Sequence, residues 1–161
     1  MSRAFVKEDV EAPETLLERP ISAAPNKVTP RGLRLIEEEI ARIEAALAHA
    51  AGEEQEPLLR RDLRYWSARS ASAQVVEASG SPEAATFGTR VTIRRGRDIS
   101  EVEIVGEDEA DPSAGRIAWT SPLARALEDA EPGDTVELAA GGRIEPVDVV
   151  DVAPIGAAAS A

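Results

Sequence analysis

The sequence has no cysteine, a single histidine (His49), one methionine and five aromatic side chains among 161 residues. Without thiols there is no disulfide framework, no thiolate metal site and no Cys-His nucleophile, and the chain suits a reducing compartment. One imidazole can serve a Ser-His pair or one metal position, but it cannot build the His-rich ligand sets of zinc and iron sites. No stretch approaches the roughly 18 to 20 apolar residues of a membrane span. Glu8, Asp9 and Glu11 stand where a signal peptide needs an apolar core. A cytoplasmic protein without a membrane partner is expected. Neither Gly-x4-Gly-Lys-Ser/Thr nor a Gly-x-Gly-x-x-Gly ahead of a helix is present, which leaves those two nucleotide cradles unsupported.

What the chain has in excess is acid, 30 carboxylates against 18 cations, for a net charge of −12. Such a chain is a poor ligand for DNA, whose affinity for proteins comes from cations displacing counterions, so no direct sequence-specific DNA binding is expected. The charge is uneven. Residues 1–27 hold 5 acids and 4 bases, 28–76 hold 8 and 7, and 77–161 hold 17 and 7. A near-neutral unit followed by a strongly acidic one favours protein partners. Residues 1–27 combine Pro13, Pro20 and Pro25 with only short apolar pairs and read as a flexible tail, with Phe5, Val6 and Ile21 available for a short docking motif.

From Thr29 the pattern changes. Leu33, Ile36, Ile40, Ile43, Leu47 and Ala50 recur at alternating spacings of 3 and 4, a coiled-coil seam. Thr29 is an N-cap with Pro30 at the first helical position, and Gly52 is a left-handed terminator, predicting a helix over about 30–51. A second helix from Pro57 carries Leu59, Leu63, Trp66, Ser70 and Ala73 at matching spacings. So short a connection folds the two back as an antiparallel hairpin over 28–78. Ser79-Gly80-Ser81-Pro82 reads as a linker at 79–83. Strands follow at 89–94, 100–105, 116–119, 135–138 and 144–152, interrupted by a short helix capped by Ser121. Pro132-Gly133-Asp134 makes a turn and Gly141-Gly142 a hairpin. The fold class is α+β, with a β domain at 84–154 and a flexible tail at 155–161.

Several clusters carry two readings. Glu53, Glu54 and Glu56 at the hairpin end either reach out to a metal held by another molecule or complement the dipole of the second helix. Glu107, Asp108, Glu109 and Asp111 match a calcium loop in composition alone, lacking its ligand order, and read as a solvated acidic loop. Arg60, Arg61 and Arg64 form a basic face that either tracks RNA or an acidic partner or pairs with Glu37, Glu38 or Glu39. Trp66 is expected in the hairpin seam or at its junction with the sheet, and His49, near the end of the first helix, is expected to be exposed or a partner of the helix C-terminal dipole rather than a catalyst.

The run from Val105 to Asp111, then Gly115-Arg116-Ile117, then Ser121-Pro122-Leu123-Ala124-Arg125-Ala126-Leu127, closing on Gly133-Asp134-Thr135-Val136, resembles the C-terminal domain of the Gre (GreA/GreB) transcription elongation factors. Thr29-Pro30-Arg31-Gly32 and Ala73-Gln74-Val75-Val76 resemble the borders of the Gre hairpin, so the likeness covers about 28–152. It implies an FKBP-like domain without isomerase activity and a coiled-coil finger that enters the secondary channel of bacterial RNA polymerase, close to nascent RNA. It also places Ser121, Pro122, Leu123, Ala124 and Arg125 on the polymerase-binding surface.

Family members that stimulate transcript cleavage carry an Asp and a Glu at the fingertip, in a Gly-Asp-Leu-x-Glu-Asn-like motif, where they help hold a magnesium ion of the polymerase. Gly52-Glu53-Glu54-Gln55-Glu56-Pro57 departs from that motif. The finger is also shorter; about ten residues fewer per arm withdraws the tip by on the order of 15 Å. The expectation is a non-enzymatic elongation regulator with no catalytic residues, metal or cofactor of its own, similar to the short-finger relative named as a regulator of nucleoside diphosphate kinase. The alternative is a cleavage-stimulating factor in which Glu53, Glu54 or Glu56 assists the polymerase's magnesium. A free FKBP-type isomerase is disfavoured by the shortage of aromatics to line a proline pocket.

Overall fold

Thr29 opens the first helix by accepting the Gly32 N–H on its Oγ1 at 2.9 Å, with Pro30 in the first turn where its missing N–H costs nothing. The computed structural model describes residues 16–49 and 52–156. Helix α1 (Pro30–Ala48) buries Ile36 and Ile43 completely. Leu33, Ile40 and Leu47 are half-buried on the same seam, and Ala50 lies outside the described residues. The helix ends earlier than expected, at His49, whose φ of −112° leaves the helical region. Gly52 is therefore not its terminator. The Gly52 carbonyl instead accepts the N–H groups of Gln55 and Glu56 and starts the next helix.

Helix α2 (Glu56–Ser72) packs along α1, with Leu59, Leu63, Trp66 and Ser70 half-buried. The feet of the pair are tied by a feature with no sequence signal: β1 (Lys27–Val28) and β2 (Gln74–Val75) form a parallel two-residue ladder, Lys27 opposite Gln74 and Val28 opposite Val75. Gly106 lies against this ladder. A Cβ there would stand 2.5 Å from the Lys27 carbonyl oxygen, a contact only glycine avoids.

The second unit is a five-stranded sheet of β3 (Thr89–Arg95), β4 (Asp98–Val105), β5 (Arg116–Ala118), β6 (Thr135–Ala140) and β7 (Arg143–Pro154), in the order β5-β4-β3-β7-β6. All pairs are antiparallel except β4 with β5. Alternation sends Val91, Ile93, Val102, Ile104, Leu138, Val147 and Val149 to one face, where α3 (Pro122–Leu127) covers them with Ala124 and Leu127. Each such side chain contributes roughly 1.5 to 3 kcal/mol of burial. Gly141 and Gly142, at φ of 57° and 77°, turn β6 into β7 as their pairing requires. The mixed helix and sheet content is that of an α+β protein.

Candidate functional site

The acidic run between β4 and β5 is where the two units meet. Residues 107–109 form a 3-10 turn, which carries Glu109 inward to 4% exposure. Glu109 Oε2 accepts from Thr29 Oγ1 at 2.6 Å and Oε1 from Arg31 Nε at 2.5 Å. Thr29 thus caps α1 with its lone pair while giving its proton to the β unit. Arg31 also donates to Glu103 on β4 at 2.6 Å. A Cβ on Gly32 would stand 2.9 Å from the Glu109 carboxylate, so the close approach depends on that glycine.

Asp108 performs the matching task for α2. It accepts from the Tyr65 hydroxyl and from Arg69 Nε at 2.5 Å. Arg69 is buried, and its Nη2 donates to Asn26 Oδ1 at 2.7 Å. Burial, and then the bond to Asp108, push the Tyr65 hydroxyl up to about 12. The expectation of a solvated loop at 107–111 is corrected for Asp108 and Glu109, because a buried guanidinium at 3% exposure requires a carboxylate beside it. Glu107 accepts from Ser22, while Asp111 stays exposed, capping the following 3-10 turn through Ser113. Among the described residues no cluster of His, Asp or Glu is arranged to hold a metal ion. Arg69, three residues after Trp66, is a cation beside an apolar seam, the one feature of the sequence that hints at a buried ion pair.

Residues 16–26, expected to belong to a flexible tail, lie along α2. Glu18 pairs with Arg64, which holds its carboxyl below the usual range. The Arg19 guanidinium sits 3.9 Å from the Tyr65 ring centroid and 3.7 Å from Asp62. Asn26 Nδ2 donates to the Arg69 carbonyl at 2.8 Å. Charge and stacking hold the segment in place of the apolar face it lacks. Ile21 is exposed; Phe5 and Val6 lie outside the described residues. The basic face of α2 is likewise paired differently from expectation: Arg60 with Glu56, Arg61 with Asp62 and Arg64 with Glu18, while Glu39 pairs with Arg42. None reaches Glu37 or Glu38. Trp66 meets Tyr65 edge to face at 5.1 Å.

At the far end of the helix pair, Glu53 and Glu54 are exposed in the turn and make no ion pair among the described residues, whereas Glu56 is held by Arg60. At the start of α3, Ser121 Oγ accepts the Ala124 N–H at 3.3 Å. Ala124 is buried and Leu123 packs against the core, which leaves Pro122 and Arg125 as the exposed members of the expected contact segment. Glu53, Glu54 and the α3 segment belong to different units and do not form one site.

These parts, a helix pair clamped to a small mixed domain that presents a capped helix, define a two-part α+β protein. A family model described as Transcription elongation factor, GreA/GreB, C-term matches residues 80–154. The chain is 30% identical over 149 residues to transcription elongation factor GreA of Phenylobacterium zucineum (strain HLK1), covering 78% of this chain and 95% of that one. It is 31% identical over 150 residues to GreA of Pseudomonas aeruginosa, with the same two shares. The crystal structure of GreA factor homolog 1 of Thermus thermophilus is 18% identical over 80% of this chain and 99% of its own, at a TM-score of 0.39, too distant to bear on how the parts are arranged. The chain belongs to the GreA/GreB family of bacterial transcription elongation factors.

Proposed function

We propose that this chain is an elongation regulator that binds bacterial RNA polymerase at the secondary channel and modulates elongation without stimulating transcript cleavage. In this reading the helix pair is a short antiparallel coiled-coil finger, and the β unit is an FKBP-like domain that docks through Ser121 to Arg125. The observation that carries it is the hairpin end. Helices of 19 and 17 residues give arms of only about 25 to 29 Å, and their turn lacks the paired Asp and Glu motif of cleavage factors. Pro122 and Arg125 stand exposed on a helix fixed by a buried face, as a docking surface requires.

The second reading, a cleavage-stimulating factor, is favoured by one fact: Glu53 and Glu54 are exposed and unpaired among the described residues, free to approach a magnesium ion held by the polymerase. A stalled, backtracked transcription complex separates the two. The expected result is binding of the full chain to core polymerase with no shortening of the RNA. Shortening that disappears in Glu53→Ala with Glu54→Ala would establish the second reading instead.

A further inference from the structure

Between β1 and the start of α3 lies a groove of about 390 Å³, lined by Lys27, Thr86, Phe87, Trp119, Arg125 and Glu128. Its wall is aromatic and its rim cationic. Lys27 Nζ stands 4.5 Å from the Trp119 ring centroid, a cation–π contact that fixes the ammonium over the groove. Arg125 is exposed on α3. Neither cation has a carboxylate within ion-pair distance among the described residues, although ten arginines of this acidic chain do. The Trp119 Nε1–H is buried and has no acceptor among the described residues. The carboxylate on the rim, Glu128, accepts from Thr86 Oγ1 at 3.0 Å.

We propose that this groove receives an aspartate or glutamate side chain of a protein partner, with Lys27 and Arg125 as its counter-charges and Trp119 as a platform. On the docking reading above, on which this inference rests, the carboxylate belongs to RNA polymerase, and Lys27 and Trp119 extend the contact surface beyond α3. Two cations left without an ion pair among the described residues, one of them held over the Trp119 ring, call for an anionic partner. A nucleic-acid backbone is the poorer fit, because binding it needs a run of cations that a chain of net charge −12 lacks around this groove.

The test compares Lys27→Glu, Lys27→Arg and Ser121→Glu in the full chain for binding to core polymerase. Lys27→Glu is expected to weaken binding about tenfold and to flatten its salt dependence, and Lys27→Arg to keep both. If Ser121→Glu weakens binding while Lys27→Glu does not, the groove proposal fails and the docking reading stands. If the native chain does not bind polymerase, the docking reading fails, and the groove is judged with Trp66→Phe, which leaves Trp119 as the sole tryptophan reporter. A Glu-Leu repeat peptide should then change Trp119 fluorescence, and Lys27→Glu should abolish the change. Response to a single-stranded oligonucleotide alone, or to neither probe, would overturn the proposal.

Discussion

Two acidic stretches of this chain look alike as sequence and have opposite fates. Glu53-Glu54-Gln55-Glu56 and Glu107-Asp108-Glu109 each crowd three carboxylates into a few residues at a turn. In the first, two of the three face solvent without an ion-pair partner among the described residues. In the second, Glu109 is buried and Asp108 is bonded to a buried arginine. The difference lies in what the rest of the chain brings. Thr29, Arg31, Tyr65 and Arg69 converge on the second turn from the two helices, whereas among the described residues only Arg60 bonds to a carboxylate of the first. Local acidity therefore does not distinguish a structural clamp from a solvent-exposed turn.

The largest effect that would break this contrast is expected from Glu109→Ala. It strands the Thr29 hydroxyl and half of the Arg31 pairing, and should cost about 3 kcal/mol or more, read from the shift of the urea midpoint. Asp108→Asn should cost about 2 kcal/mol through Arg69. It should also move the titration of Tyr65, the single tyrosine, downward from about 12. That value lies above the ordinary 10.0, so the stabilisation linked to Tyr65 is complete below pH 10 and lost as pH rises through about 12. Tyrosinate absorbance in the two proteins checks both statements. Thr29→Ala removes the cap and one donor to Glu109, for about 1 to 2 kcal/mol by the same denaturation. At the other end, Glu53→Ala with Glu54→Ala should change stability by less than about 0.5 kcal/mol. A loss as large as that of Glu109→Ala would erase the contrast.

Those features whose cause is local were legible in the sequence. The Thr29-Pro30 start, the seam through Ile36 and Ile43, the alternation in β3, β4 and β7, the Ser121 cap and the Gly141-Gly142 turn each depend on neighbours a few residues away. The clamp was not legible, because Glu109 finds Thr29 80 residues upstream and Asp108 finds Arg69 39 residues upstream. A pattern confined to a window of seven residues cannot register such partners. The same limit hid the segment 16–26, which is held by charges and rings on α2 and carries no periodic face of its own. Lys27 carries no sequence signal for a different reason: its partner is a ring, Trp119, which it meets only once β1 lies beside the sheet.

The ladder between β1 and β2 makes the helix pair a replaceable arm. Chain direction enters at Lys27–Val28 and leaves at Gln74–Val75, side by side, so the part of the helix pair beyond the clamp residues Arg31 and Tyr65 is an excursion whose length the β unit does not register. Inserting one seven-residue block in each helix would lengthen the arm by about 10 Å and preserve the seam. The clamp residues at its root would stay in place. Reach and anchorage are thereby separate variables in this architecture, open to independent adjustment by engineering.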